Sequence, residues 1–217
     1  MKIFGFPLSP FVRKVHLLAA EKGVAVEMAL GMPGRPNPEF EAASPFGKIP
    51  ALQDGDFTLS DSTAICTYID ALHPAPAMLP GDARAKAKAI WFEEFADTIL
   101  VASGAKVLFN RFVGPTFLGR PGDEAAAEQG LKELVPIMAY LESQAPASGW
   151  LAGDDFSIGD IAVASTLRSL GYVGLEPDPA THPRTAAWYE RVKARPSWQP
   201  VAEREAAVIS RAMPAPA

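Results

Sequence analysis

Apolar residues change their spacing once along the chain, near residue 80, and the change separates two predicted halves. In the first half the apolar runs are short. Ile3-Phe4-Gly5-Phe6 predicts a strand. Ser9-Pro10 then opens a helix: serine is a favoured N-cap, and proline suits the first helical position, where its missing N–H has no partner to lose. Val12, Val15, Leu18 and Ala19 form the apolar stripe of that helix, and Gly23 ends it. Val26–Leu30 predicts a second strand. Residues 31–38, rich in glycine and proline, predict a loop, and Glu39–Ala43 a short helix. Pro50–Gln53 and Phe57–Leu59 flank Asp54-Gly55, a hairpin signal, because a tight turn needs positive φ. Ser60-Asp61-Ser62 caps a further helix through Leu72. The order βαβαββα predicts a small mixed sheet in an α/β domain over residues 1–76.

A linker at 77–82, signalled by His73-Pro74-Ala75-Pro76 before it and Pro80-Gly81 within it, leads into a half that is helical throughout, over 83–212. Trp91, Phe95, Ile99, Ala102, Ala105, Phe109 and Phe112 recur at steps of three and four and predict one face of a long helix. Leu131, Leu134, Met138 and Leu141 form a second stripe, with Pro136 expected to kink it. Ser157 and Asp160 form a variant capping box, with Phe156 and Ile161 at the staple positions around it. Helices around 184–195 and 197–209 follow, and 213–217 reads as a frayed tail.

Composition narrows the function classes. The chain has 217 residues, 48% of them hydrophobic and 21% charged, which excludes a disordered chain. The net charge of −5 supplies no basic surface, so neither nucleic acid nor an anionic membrane is expected as a partner. Residues 1–4 are too short and too soon followed by Pro7 and by Arg13-Lys14 to read as a signal peptide. The single cysteine, Cys66, permits no internal disulfide and points to a reducing, cytoplasmic setting. His16, His73 and His182 show no metal spacing, so no metal is expected.

What chemistry remains lies at helix N-termini. Ser9 stands where the first strand turns into a helix, and a hydroxyl beside unpaired N–H groups favours a negative charge. Asp61 and Ser62 open another helix and suit the two halves of a zwitterion. Between them, Gly47-Lys48-Ile49-Pro50 offers a cation and an X-Pro step, a candidate cis bond that would turn the Ile49 backbone toward a ligand. Each residue also has a plain structural role open to it: Ser9, Ser60 or Ser62 as a cap, Lys48 as a solvated lysine.

In their order these motifs resemble the cytosolic glutathione transferases of the serine-type classes (theta-, tau- and phi-like). The resemblance spans Ser9-Pro10-Phe11-Val12-Arg13-Lys14-Val15, Ser44–Leu52 and Leu59–Ile65 in the first half. In the second it spans Trp150–Gly153, Phe156–Ala162, His182-Pro183-Arg184 and Arg191–Pro196. It implies a thioredoxin-like domain followed by an all-helical one, glutathione as co-substrate, and a homodimer. It implies that Ser9 donates to the glutathione sulfur and that Ile49, before a cis Pro50, pairs with the cysteinyl unit. Asp61 and Ser62 would hold the γ-glutamyl end, and Lys48, aided by Arg35, a carboxylate. Many relatives carry Glu where this chain has Asp61. Leu8, Phe11, Phe109, Phe112 and Phe117 would line an apolar electrophile pocket, against a role as plain core. Phe46 would either insert into a partner subunit or pack within its own. Isomerase, ether-cleaving or dehalogenating chemistry would start from the same thiolate, and a non-catalytic glutathione-binding module is a further alternative. Ser9 and Val12 stand where a thiol–disulfide enzyme would need cysteines.

Overall fold

Four short strands form one mixed sheet: β1 (Lys2–Gly5), β2 (Glu27–Leu30), β3 (Ala51–Asp54) and β4 (Phe57–Ser60), in the order β2-β1-β3-β4. The computed structural model describes residues 1–32 and 34–213. Of the expected tail, only Met213 falls among them, as the exposed C-cap of the last helix; the rest lies outside the described residues. β2 is parallel to β1 and reaches it through helix α1 (Pro10–Glu21), while β3 and β4 are antiparallel to their neighbours. The period-two alternation of strands sorts the side chains. Ile3 and Leu52 enter the main core with Val15, Leu18 and, from α3 (Ser62–Leu72), Ile65 and Ile69. Phe4 and Ala51 face the other way, onto Phe40 and Ala43 of α2 (Pro38–Ala43). The hairpin turn is Gly55-Asp56, one residue later than expected, because Asp54 still pairs with Phe57; Gly55 supplies the positive φ, +63°.

The second half is helical: α4 (Ala83–Glu94), α5 (Val101–Leu108), α6 (Glu124–Gln144), α7 (Ile158–Gly171), α8 (Pro183–Lys193) and α9 (Trp198–Ala212). Wide π-helical segments, Phe95–Leu100 and Phe109–Leu118, join α4 to α5 and continue α5. α6 runs through Pro136 as one helix. α7 is central: only Arg168 and Gly171 escape burial, and it packs against both α1 and α4.

The expected stripe on the long helix is corrected in part: Phe95 and Phe112 are buried as expected, but the rest of the buried face lies elsewhere. Trp91, Ile99 and Phe109 are substantially exposed, and the buried face runs instead through Ala89, Phe92, Ala96, Leu100, Gly104 and Val107. Trp91, Ile99 and Phe109 drew the stripe away from the buried side. The contact with α7 needs small residues on both sides: a Cβ on Gly104 of α5 would stand 2.9 Å from Leu170 of α7, and one on Gly159 of α7 would stand 2.8 Å from the Ala89 carbonyl oxygen of α4.

The start of α7 carries the capping box. Oδ2 of the fully buried Asp160 accepts from the Ser157 N–H and hydroxyl, both at 3.1 Å. Oδ1 accepts from the Leu151 N–H and the Trp188 indole N–H, both at 2.9 Å. Burial pushes this carboxyl's pKa upward against the pull of the four donors. Phe156 and Ile161, the staple pair, are buried on either side.

Candidate active site

The strand register brings three motifs that are far apart in sequence to one end of the sheet. Phe4 pairs with Ala51 antiparallel, so the end of β1, leading to Ser9, lies beside the start of β3. Ala51 in turn pairs with Ser60, so Asp61 and Ser62 follow at the same end. The Asp61 N–H donates to the Pro50 carbonyl at 3.4 Å and closes the group. The loop after β2, which carries Arg35, leaves from this end too, because Gly31 N–H donates to the Gly5 carbonyl.

Ser9 is the N-cap residue of α1, with extended φ and ψ of −68° and 129°, yet its hydroxyl makes no capping hydrogen bond. Its N–H is tied to the Phe6 carbonyl at 3.0 Å, and its own carbonyl accepts the Arg13 N–H at 2.9 Å. The side chain is half-buried. Because Pro10 has no N–H, the Phe11 and Val12 N–H groups are the unpaired donors of this terminus. Ile49 is half-buried, and the peptide bond to the buried Pro50 is cis. Lys48 and Arg35 are exposed. Ser44 Oγ donates to the Lys48 carbonyl at 2.7 Å and shapes the turn before them.

Asp61 is the N-cap of α3: Oδ1 accepts the Thr63 and Ala64 N–H groups at 2.9 and 3.0 Å. Its φ of +93° is the one positive value at a non-glycine residue among those described. Non-glycine residues take such values at a cost of about 1–3 kcal/mol, and they cluster at functional sites. Ser62 is buried beside it, with Oγ 3.5 Å from Asp97 Oδ2.

Of the residues expected in the acceptor pocket, Leu8, Phe112 and Phe117 come together with Leu108, Tyr172 and, from α9, Val208 and Ile209. Phe117 meets Phe6 edge-on at 5.3 Å and Phe112 at 5.5 Å, so this aromatic patch joins the segment before Ser9 to the helical half. Phe11 and Phe109 stand outside that cluster; Phe109 is 53% exposed. Phe46 is 88% exposed, which rules out its packing within the subunit. Cys66 is fully buried in α3, and burial raises its thiol to about 12, so it is no nucleophile.

Two charge networks escaped the sequence. Arg13 and Lys14, consecutive on α1, are both buried. Arg13 pairs with the buried Glu205 of α9; Lys14 pairs with Glu93 and Asp97 and lies 3.3 Å from Thr63 Oγ1. The signal was there: two cations flanked by Val12 and Val15, within the helix stripe itself.

With this geometry in hand, known proteins place the chain. Residues 3–77 match the family model for the glutathione S-transferase N-terminal domain, and residues 124–191 that for the C-terminal domain. Glutathione S-transferase 3 of Zea mays is 32% identical over 209 residues, covering 92% of this chain and 91% of that protein. A glutathione S-transferase structure from Rhodospirillum rubrum F11 superposes with a TM-score of 0.84 at 29% identity, covering 92% of this chain and 90% of that one. A glutathione S-transferase I bound with lactoylglutathione superposes at 0.82 and 26% identity, over 93% of this chain and 98% of that one. A thioredoxin-like domain followed by a helical one is the fold these relatives share, and the chain belongs to the glutathione S-transferase family.

Proposed function

We propose that this enzyme holds glutathione at the sheet end and activates its sulfur as a thiolate through the Ser9 hydroxyl, for attack on an apolar electrophile. The observation that carries the reading is the unspent Ser9 hydroxyl at the N-terminus of α1. A free thiol with a pKa of about 8.5 is mostly protonated at neutral pH. Lowering it by one unit takes about 1.4 kcal/mol, within the range of one charge-assisted hydrogen bond and a helix N-terminus. Ile49 offers its backbone to the cysteinyl unit. Asp61, whose Oδ1 is spent on the cap, keeps Oδ2 for the γ-glutamyl ammonium, and Ser62 takes the adjoining carboxylate. Lys48 and Arg35, both exposed, serve the glycyl carboxylate. The electrophile rests on Leu8, Phe112 and Phe117, beside the sulfur. The domain boundaries follow the same division: residues 1–76 bind glutathione, 77–82 connect, and 83–212 carry the acceptor side.

The protein works as a homodimer in the cytoplasm. Phe46, beside the glutathione loop, and the exposed Trp91 of α4 and Ile99 of the π-helical segment that follows it support a second copy as the partner. No helix among the described residues is long and apolar enough to cross a membrane. The test of the chemistry is the ultraviolet absorbance of bound glutathione thiolate. It is expected at neutral pH and lost in Ser9→Ala; bound glutathione that titrates as it does in free solution overturns the reading.

A further inference from the structure

Arg13 is 1% exposed, and all five of its guanidinium donors are matched. Nε donates to Glu205 Oε1; Nη1 donates to the Ser165 carbonyl and, at 2.9 Å, to Ser169 Oγ. Nη2 reaches the Tyr172 hydroxyl at 3.0 Å and the Leu8 carbonyl at 3.4 Å. That last contact falls on the peptide that delivers Ser9. Its N–H is held by the Phe6 carbonyl, so the Leu8–Ser9 peptide is gripped on both sides, once by backbone and once by Arg13.

The far end of the network reaches the acceptor patch. Glu205 Oε2 accepts from the Tyr172 hydroxyl at 2.7 Å and from Arg168 Nε at 3.2 Å. The Tyr172 ring stacks on Phe112 at 5.3 Å, and the two guanidinium groups stand over it, Arg168 at 5.2 Å and Arg13 at 5.9 Å. Glu205 therefore fixes Tyr172, which carries Phe112, and fixes Arg13, which carries Leu8 and Ser9. A buried ion pair adds little net stability over an apolar replacement of the same shape. What a planar five-donor fork supplies, and an ammonium cannot, is simultaneous geometry at several acceptors.

We infer that Arg13, anchored by Glu205 of the C-terminal helix, is the positioning residue that holds the Ser9 hydroxyl in register with the acceptor wall. The inference rests on the reading of Ser9 as donor to the sulfur. It assigns α9 a part in the reaction without contact to substrate, and ties the thiol side and the acceptor side to one buried charge pair.

The test uses the full chain with Arg13→Lys, which keeps the charge and loses the fork, and Glu205→Gln, which keeps the shape and loses the charge. The readouts are the pKa of bound glutathione thiol, the affinity for S-methylglutathione, and kcat. Arg13→Lys is expected to raise the thiol pKa by about one unit, so that thiolate and kcat at neutral pH fall about tenfold. S-methylglutathione, which has no thiol proton, should bind as it does to the unaltered protein. Glu205→Gln should shift both quantities in the same direction by less. A role confined to stability lowers the melting temperature and leaves the thiol pKa of the folded enzyme where it was; that result with Arg13→Lys overturns the inference. If Arg13→Lys does not fold, Tyr172→Phe, which removes one hydroxyl from the network, is read in its place with the same two outcomes. Ser9→Ala run alongside separates the failures: if it leaves the thiol pKa unchanged, the reading of Ser9 has failed; if it raises the pKa and Arg13→Lys does not, only the positioning role has.

Discussion

At the start of α7, Asp160 is fully buried and spends both oxygens on four donors of its own chain. At the start of α3, Asp61 is exposed, spends one oxygen on two N–H groups, and adopts a φ of +93°. Both are aspartates at helix N-termini, where negative charge is favoured. The difference lies in what closes over them. The Leu151 turn and Trp188 of α8 cover Asp160, so its acceptor capacity is used up by the fold. Among the described residues none closes over Asp61, so its second oxygen stays unengaged, as the glutathione contact proposed for it requires. A carboxylate at a helix start is architecture when its lone pairs are all engaged from within, and part of a site when some are not.

The sharpest way to break that contrast is Asp160→Ala. It strands the Ser157 N–H and hydroxyl, the Leu151 N–H and the Trp188 indole N–H in a dry interior. Each unsatisfied buried donor costs about 1–3 kcal/mol, and partial relaxation limits the sum, so a loss of about 4 kcal/mol is expected by urea denaturation. Glutathione affinity of the remaining folded protein should be unchanged. A loss under about 1 kcal/mol would mean that the four donors find other acceptors.

The next largest effect lies beneath Asp61, and it depends on pH. Lys14 faces two carboxylates, Glu93 and Asp97, and Asp97 lies 3.5 Å from the Ser62 hydroxyl. Burial pushes the Asp97 carboxyl up to about 6, against the pull of Lys14. In the unfolded chain it titrates near about 4. Between these values the folded state holds a proton that the unfolded state has released, so stability falls as pH rises from about 4 to about 6, by about 2–3 kcal/mol. Asp97→Asn should flatten that part of the profile. Parallel wild-type and mutant curves would show that the carboxyl is not held high.

Much of this arrangement was legible in the sequence because its signals are local. Ser9-Pro10, Asp54-Gly55 and Ser157–Asp160 are short-range instructions to the backbone, and each acts within one turn. The sheet end could be anticipated because a βαβ unit plus a hairpin leaves few pairings. What stayed hidden depends on distant partners. The α4–α5 face was misplaced because Gly104 and Gly159 matter only through the close approach of α7, which no single-helix periodicity encodes. The pairing of Arg13 and Lys14 stayed hidden because their counter-ions lie 192 and 79 residues away, at Glu205 and Glu93. The cap at Ser60-Asp61-Ser62 was legible in the same way as the other local signals; what the sequence did not carry is the φ of +93° at Asp61 and the choice of Asp61 as the capping residue.

The two smallest effects test the contrast from both sides. Asp61→Ala removes the free oxygen, and glutathione affinity should fall about tenfold, the equivalent of about 1.4 kcal/mol. Its cost in stability is one exposed cap, about 1 kcal/mol. Asp61→Gly should bind glutathione equally poorly and yet be more stable than Asp61→Ala, because glycine accepts positive φ without strain; equal stabilities would remove strain from the account of this site. Ser157→Ala is the counterpart at α7. It takes away one hydroxyl and leaves Asp160 with the Ser157 N–H, the Leu151 N–H and the Trp188 indole, so no buried charge is orphaned. The expected loss is about 1 kcal/mol by denaturation, roughly a quarter of that for Asp160→Ala, with thiolate pKa and glutathione affinity both unmoved. Were Ser157→Ala to cost as much as Asp160→Ala, the serine hydroxyl and not the carboxylate would be the member on which the buried cap depends, and the contrast with Asp61 would rest on the wrong residue.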